Sequence, residues 1–180
     1  GYGNIRLLKN IMGMWMLQNL RKDENEKDFT APARWAQASA IDSVIDVNDK
    51  AFLAPACMSD AIRDYCREKG LTVPQDRNDV ARIIYRSLAE CSRVAIADLE
   101  QLVGRKFTAL NIVGGGSQDK YLNALTEEAT GLPVTAGPTE GTAIGNLAVQ
   151  MIADGAFADL AAFRAALPGS FEIREYLPKL

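Results

Sequence analysis

The feature that most limits what this chain can fold into lies in its second half. Phe107 to Val113 reads as a strand and breaks sharply at Gly114-Gly115-Gly116. Ser117 then stands where a cap would open a helix running to Gly131. Pro133 to Ala136 is a second short strand, Thr139 is placed to cap a further helix, and Gly155 ends it. Strand, glycine turn, helix, strand, helix is a β-α-β unit. It implies parallel strands, covered sheet faces and a right-handed crossover. The predicted class is therefore α/β. The tail, through Phe163 and Leu167 to Phe171, reads as a short helix with an extended end.

The first half is helical. From about Asn4 to Arg21, Ile5, Leu8, Met12, Trp15 and Met16 share one side, with Leu7, Met14 and Leu17 on the other, so the spacing predicts a helix covered on most of its circumference. Residues 21–28, RKDENEKD, read as a solvated turn, and a second helix is predicted from Pro32 to Ile45. VNDKAFLAPACMSD is loop-like, with Ser59 as candidate N-cap of a short helix ending near Gly70. The longest helix has its start and stop written out. Asp76 caps it, Asp79 favours its first turn, and Gly104 ends it. Between them Val80, Ile83, Ile84, Leu88, Cys91, Val94, Ala95, Leu99 and Leu102 keep helical spacing.

Composition serves mainly to exclude. At 180 residues, 48% apolar and 24% charged, the chain fits one domain with a real core, and a net charge of −3 offers no basic footprint for nucleic acid or anionic membrane. No apolar run reaches the roughly 18 residues of a membrane span, and no signal peptide is evident, so a cytoplasmic protein is expected. Cys57, Cys66 and Cys91 form no CxxC pair and read as reduced and structural. Histidine is absent, which removes Ser-His-Asp and Cys-His catalysis and the HExxH zinc site. The opening Gly1-Tyr2-Gly3 lacks an initiator Met and points to a piece of a longer protein.

Three segments can carry chemistry. NIVGGGSQDKYLNAL, residues 111–125, brings backbone close to a ligand at a strand end and offers N–H groups to an anion. It meets neither the dinucleotide nor the P-loop fingerprint, and a tight turn with no ligand explains it equally well. In GPTEGTAIGNLA, residues 137–148, Gly141, Gly145 and Ala148 allow close helix packing, and Glu140 suits the helix dipole; plain packing is the preferred account. In LLKNIMGMWMLQNLRK, residues 7–22, Asn10 and Gln18 on one helix would stand ~12 Å apart along it and within ~80° around it. Two carboxamides beside Met14, with space at Gly13, suit a purine. A buried helix bearing two solvated amides is the preferred account of the same pattern.

Taken in order, LKNIMGMWMLQ, NIVGGGSQ and AGPTEGTAIGN resemble the matching run of the FGGY carbohydrate kinases, most closely the rhamnulokinase subgroup. The likeness extends across nearly the whole chain. It implies the C-terminal lobe of an actin-like ATPase (ribonuclease H-like) fold, with a parallel β-α-β unit and many packing helices over residues 1–180. It implies transfer of the ATP γ-phosphate, with Mg2+, to the 1-hydroxyl of L-rhamnulose; L-fuculose kinase and a non-catalytic nucleotide-binding module are the alternatives. Carried over by motif, the ATP-binding residues are Asn10, Gln18 and Gly115, with Gly116 and Ser117 as near neighbours. No metal ligand is implied in the chain, and its partners are ATP and a sugar within the complete enzyme. The family's catalytic aspartate, its sugar pocket and a first phosphate loop lie upstream of the matched segment, so the resemblance implies no catalytic residue among the 180.

The isolated 180-residue chain is therefore expected to show no turnover above background in a coupled assay with ATP, magnesium and L-rhamnulose. Sustained turnover that tracks the purified chain would contradict this reading.

Overall fold

A computed structural model describes residues 7–178. The chain folds as two compact units. One runs to Phe107 and takes in Glu128–Thr130; the other comprises Thr108–Glu127 and the chain from Gly131 on.

The first unit is helical. α1 (Trp15–Asp23), α2 (Ala31–Gln37), α3 (Met58–Lys69) and α4 (Arg77–Val103) follow one another, with a 3-10 turn at Lys50–Phe52. α4 begins and ends as its sequence dictates. Asp76 accepts hydrogen bonds from the N–H groups of Asn78 at 2.8 Å and Asp79 at 3.0 Å, and Gly104 closes the helix at φ 69°. Such a cap removes two of the unpaired donors every helix start leaves. The core gathers on α4, which packs against α1, α2 and α3: Val80, Ile83, Ile84 and Tyr85 of α4 are buried, as are Met16 and Leu20 of α1, Trp35 of α2, and Met58 and Ile62 of α3. Farther along α4 the apolar positions are less covered. Val94 and Leu102 are exposed and Cys91 is half-buried. All three cysteines are free thiols, and burial pushes that of Cys66 up.

Three helix boundaries differ from the sequence reading. The helix expected from Asn4 to Arg21 starts only at Trp15, because Gly13 takes a left-handed φ of 63° and breaks the run; Asn4 and Ile5 lie outside the described residues. The helix expected to reach Ile45 stops at Gln37. Beyond it the backbone groups are claimed from outside the segment. Arg82 Nε donates to the Ile41 carbonyl at 2.9 Å, and the Ile45 N–H donates to Ser87 Oγ at 3.0 Å. Ser59 does not cap α3 but is buried within its first turn. The N–H of Met58 instead donates to the Asp23 carboxylate, at the end of α1, at 2.7 Å.

The second unit carries the sheet. β1 (Leu110–Ile112) pairs in parallel with β2 (Val134–Ala136), joined through α5 (Lys120–Thr130), as the β-α-β pattern requires. α6 (Gly141–Ala153) and α7 (Leu160–Ser170) follow. The extended end expected after Phe171 proves to be a third strand, β3 (Arg174–Tyr176), antiparallel to β2, so the order is β1-β2-β3 and the sheet is mixed. Gly137 makes room for it: at φ 120°, a Cβ there would stand 2.6 Å from the Glu172 carbonyl oxygen. Ile144 and Ala148 of α6 pack with Phe163 of α7 in a small core. Phe157 meets Phe163 edge-on at 5.2 Å between centroids. No described helix is long and apolar enough to cross a membrane.

Cooperative thermal unfolding with strong helical circular dichroism is expected. Asp76→Ala, which strips the cap of α4, should lower stability by about 1 kcal/mol in denaturant titration. An unchanged midpoint would show that the cap contributes nothing.

Candidate functional site

The glycine turn sits at the C-terminal end of β1. Gly114 adopts φ 79° and ψ −164°, a region open essentially to glycine alone, and its N–H donates to the Pro138 carbonyl at 3.3 Å. The chain then tightens into a 3-10 turn, Gly115–Gln118. Ser117 is not the helix cap predicted for it. It is buried, and both its N–H, at 3.1 Å, and its hydroxyl, at 2.7 Å, donate to the Gly114 carbonyl. The cap of α5 is Asp119, which accepts from the N–H groups of Tyr121 at 3.1 Å and Leu122 at 3.0 Å. The physical reason is the intervening 3-10 turn, which moves the cap of the helix two residues on, from Ser117 to Asp119.

Thr139 likewise does not cap α6. Its hydroxyl accepts from Gln118 Nε2 at 2.6 Å, and α6 starts after Glu140 with no side-chain cap. This contact ties the glycine turn to the loop before α6. Of the small residues on α6, Gly141 faces Val113, whose Cβ would lie 3.1 Å from an added Cβ, and Ala148 is buried. Gly145 meets nothing within 4 Å, so close packing does not explain it.

The same test separates the three glycines of the turn. Gly114 is required by its dihedrals. Gly115 is exposed, has no left-handed φ, and would carry a Cβ into open space; at Gly116 an added Cβ would make only an ordinary contact, 3.9 Å from Ile112 Cγ2. Among the described residues, no acceptor faces the N–H of Gly115 or Gly116. Two adjacent unpaired donors on a surface without side chains can receive an oxyanion closely.

Sequence reading missed the residue that holds this turn. Asn123, fully buried on α5, donates from Nδ2 to the Ser117 carbonyl at 3.0 Å, while its Oδ1 has no hydrogen-bond partner among the described residues. The available signal was an asparagine inside a helix, where it is a poor former unless its amide is occupied.

In the first unit, Gln18 lies on α1 and is exposed. Asn10 is exposed as well but does not share that helix: it sits in the irregular stretch before Gly13, so the helical separation expected for the pair does not apply. Gly115, Gly116 and Ser117 come together in one turn, whereas Asn10 and Gln18 flank the bend at Gly13. Next to Asn10, Lys9 Nζ lies 2.5 Å from Asp98 Oδ2, and that hydrogen bond raises the Lys9 pKa.

Residues 2–153 match the C-terminal domain of the FGGY family of carbohydrate kinases. The chain is 44% identical, over 98% of its own length and 36% of the relative's, to a protein named rhamnulokinase in Pectobacterium carotovorum. It is 43% identical, over 96% and 36%, to one so named in Enterococcus faecalis, and 40% identical, over 98% and 37%, to one in Bacteroides thetaiotaomicron. It spans about a third of the length of these curated relatives.

The two kinds of glycine should separate in stability measurements. Gly114→Ala should cost about 1–3 kcal/mol in denaturant unfolding, because alanine must enter a glycine-only backbone region. Gly115→Ala should stay within ~0.5 kcal/mol of the parent. Equal losses would show that the structure of the turn requires both glycines.

Proposed function

The chain belongs to the FGGY family of carbohydrate kinases, and on that premise we propose that it supplies the ATP-binding half of an enzyme converting L-rhamnulose to L-rhamnulose 1-phosphate. The observation that carries the nucleotide assignment is the pair of unpaired N–H groups at Gly115 and Gly116, on glycines that the turn itself does not demand. The sugar is proposed from the relatives, seven of which bear the name rhamnulokinase.

In this reading the chain is one lobe of a two-lobed actin-like (ribonuclease H-like) fold. The N–H groups of Gly115 and Gly116 donate to phosphate oxygens, and the missing Cβ at Gly115 lets the nucleotide approach the backbone. The buried Ser117 acts on its own turn, through its hydroxyl bond to Gly114, rather than on the nucleotide. Asn10 and Gln18 offer exposed carboxamides, able both to donate and to accept, to the adenosine. Bound ATP supplies the phosphoryl group, with magnesium neutralising its charge. Among the described residues no cluster of three metal-ligating side chains forms; in this proposal the cation would be carried by the phosphates of ATP. The base that takes the sugar hydroxyl proton belongs, in this proposal, to the other lobe, as an aspartate.

The test belongs in the complete kinase. Gly115→Val places a branched side chain where the nucleotide must approach. It should cost roughly 2–3 kcal/mol of ATP binding, about 30- to 150-fold in KM for ATP, with the sugar KM changing much less. Gln18→Ala should cost about 1 kcal/mol, the worth of one neutral hydrogen bond. An unchanged ATP KM for Gly115→Val, in a protein that melts normally, would refute the site.

A further inference from the structure

From Leu7 to the bend at Gly13 the chain has no regular structure, so whatever orients Asn10 must come from outside the segment. Two contacts flank it. On one side is the Lys9–Asp98 pair, with side chains 39% and 57% exposed, an arrangement that solvent and salt weaken. On the other, the Met12 N–H donates to Asn48 Oδ1 at 3.1 Å. Asn48 is itself fixed at two points. Its N–H donates to Asp46 Oδ1 at 3.0 Å, turning the local backbone, and its Nδ2 donates to Cys91 Sγ on α4 at 3.3 Å. With the amide nitrogen occupied by the thiol, the amide oxygen is left to receive Met12. Lys9, Asp46, Asn48 and Cys91 line a pocket of about 370 Å³, walled also by Ile45, Val47, Glu90 and Val94.

We propose that Asn48 is a positioning residue for nucleotide binding: its carboxamide, anchored on Cys91, holds the Met12 N–H and so sets where Asn10, two residues earlier, stands. The proposal rests on the nucleotide reading of Asn10 and adds the group that orients it. A carboxamide is suited to the task because one end donates while the other accepts, and sulfur, a weak acceptor, is enough to choose which end faces Met12. Lys9–Asp98 restrains the other side of Asn10, but only as an exposed ion pair.

In the complete kinase, Asn48→Ala should raise KM for ATP roughly threefold to tenfold, the loss expected for one hydrogen bond. The sugar KM, and kcat at saturating ATP, should move far less. Asn48→Asp keeps an oxygen for the Met12 N–H and should bring the ATP KM back to within about twofold of the parent. Amide hydrogen exchange gives an independent readout: the Met12 N–H should exchange faster in Asn48→Ala, and ATP should slow exchange over residues 10–13 in the parent. An unchanged ATP KM in an Asn48→Ala protein that melts normally, while Gly115→Val does raise it, overturns the positioning role and leaves the nucleotide site standing. Equal changes in both substrates' KM, with no recovery in Asn48→Asp, mark a general structural role and overturn it too. If neither Asn48→Ala nor Gly115→Val alters the ATP KM, and ATP leaves exchange in the parent untouched, the nucleotide reading fails and takes the proposal with it.

Discussion

A 27-residue helix can organise the segments around it only if it meets their backbone as well as their side chains, and α4 does both. The stretch after α2 buries Ser43, Ile45 and Val47 without forming helix or sheet, so its peptide groups need partners from elsewhere. α4 supplies them. Ser87 accepts from the Ile45 N–H while donating at 2.6 Å to its own Ile83 carbonyl, Arg82 reaches the Ile41 carbonyl, and Asp79 accepts from the Ser39 hydroxyl at 2.6 Å. Leaving a buried donor such as the Ile45 N–H unpaired would cost about 1–3 kcal/mol, comparable to losing a core methyl group or two. Polar residues on the core side of α4 are thus part of the packing, and the segment leading to Asn48 takes its course from them.

The second unit depends on how closely its backbone segments approach one another. Gly114, Gly137 and Gly141 each meet a demand of the fold: a glycine-only conformation, the adjoining Glu172 carbonyl, and the side chain of Val113. Gly115 and Gly145 meet none within the unit. A glycine kept where the fold would accept a side chain costs backbone entropy, and close approach of another molecule is a reason to keep it. That contrast, rather than the mere presence of three glycines, is what supports the proposed role of the turn. The turn is also braced from several sides, by Ser117 on Gly114, Gln118 on Thr139, and Asn123 on Ser117. In the proposed role, N–H groups braced in this way would lower the ordering cost of binding a ligand.

The segments of the proposed site were marked in the sequence, but their local geometry was not. The motifs LKNIMGMWMLQ and NIVGGGSQ marked both segments, and family membership follows from the sequence. The bracing residues were not legible, because Asn123 and Asn48 act through single hydrogen bonds to groups 6 and 36 residues away, which no local pattern encodes. Asn10 was misplaced for a related reason. Apolar spacing continued through Leu7, Leu8 and Met12, but Gly13 adopts a left-handed φ that ends helical continuity.

What the sequence determined by itself was whatever local chemistry decides: the cap at Asp76, the stop at Gly104, the break at Gly114, and the parallel pairing of β1 with β2 through one crossover helix. These follow from short-range hydrogen bonds, from glycine's access to positive φ, and from the handedness of a β-α-β connection. The tertiary structure alone decided that Asp23, at the end of another helix, caps α3 in place of Ser59. It likewise ended α2 at Gln37 and added Arg174–Tyr176 as an antiparallel edge. In each case the deciding partner lies far away in the sequence, at Asp23 for α3, at Arg82 and Ser87 for the chain after α2, and on β2 for β3, and only the folded chain brings it within hydrogen-bonding reach.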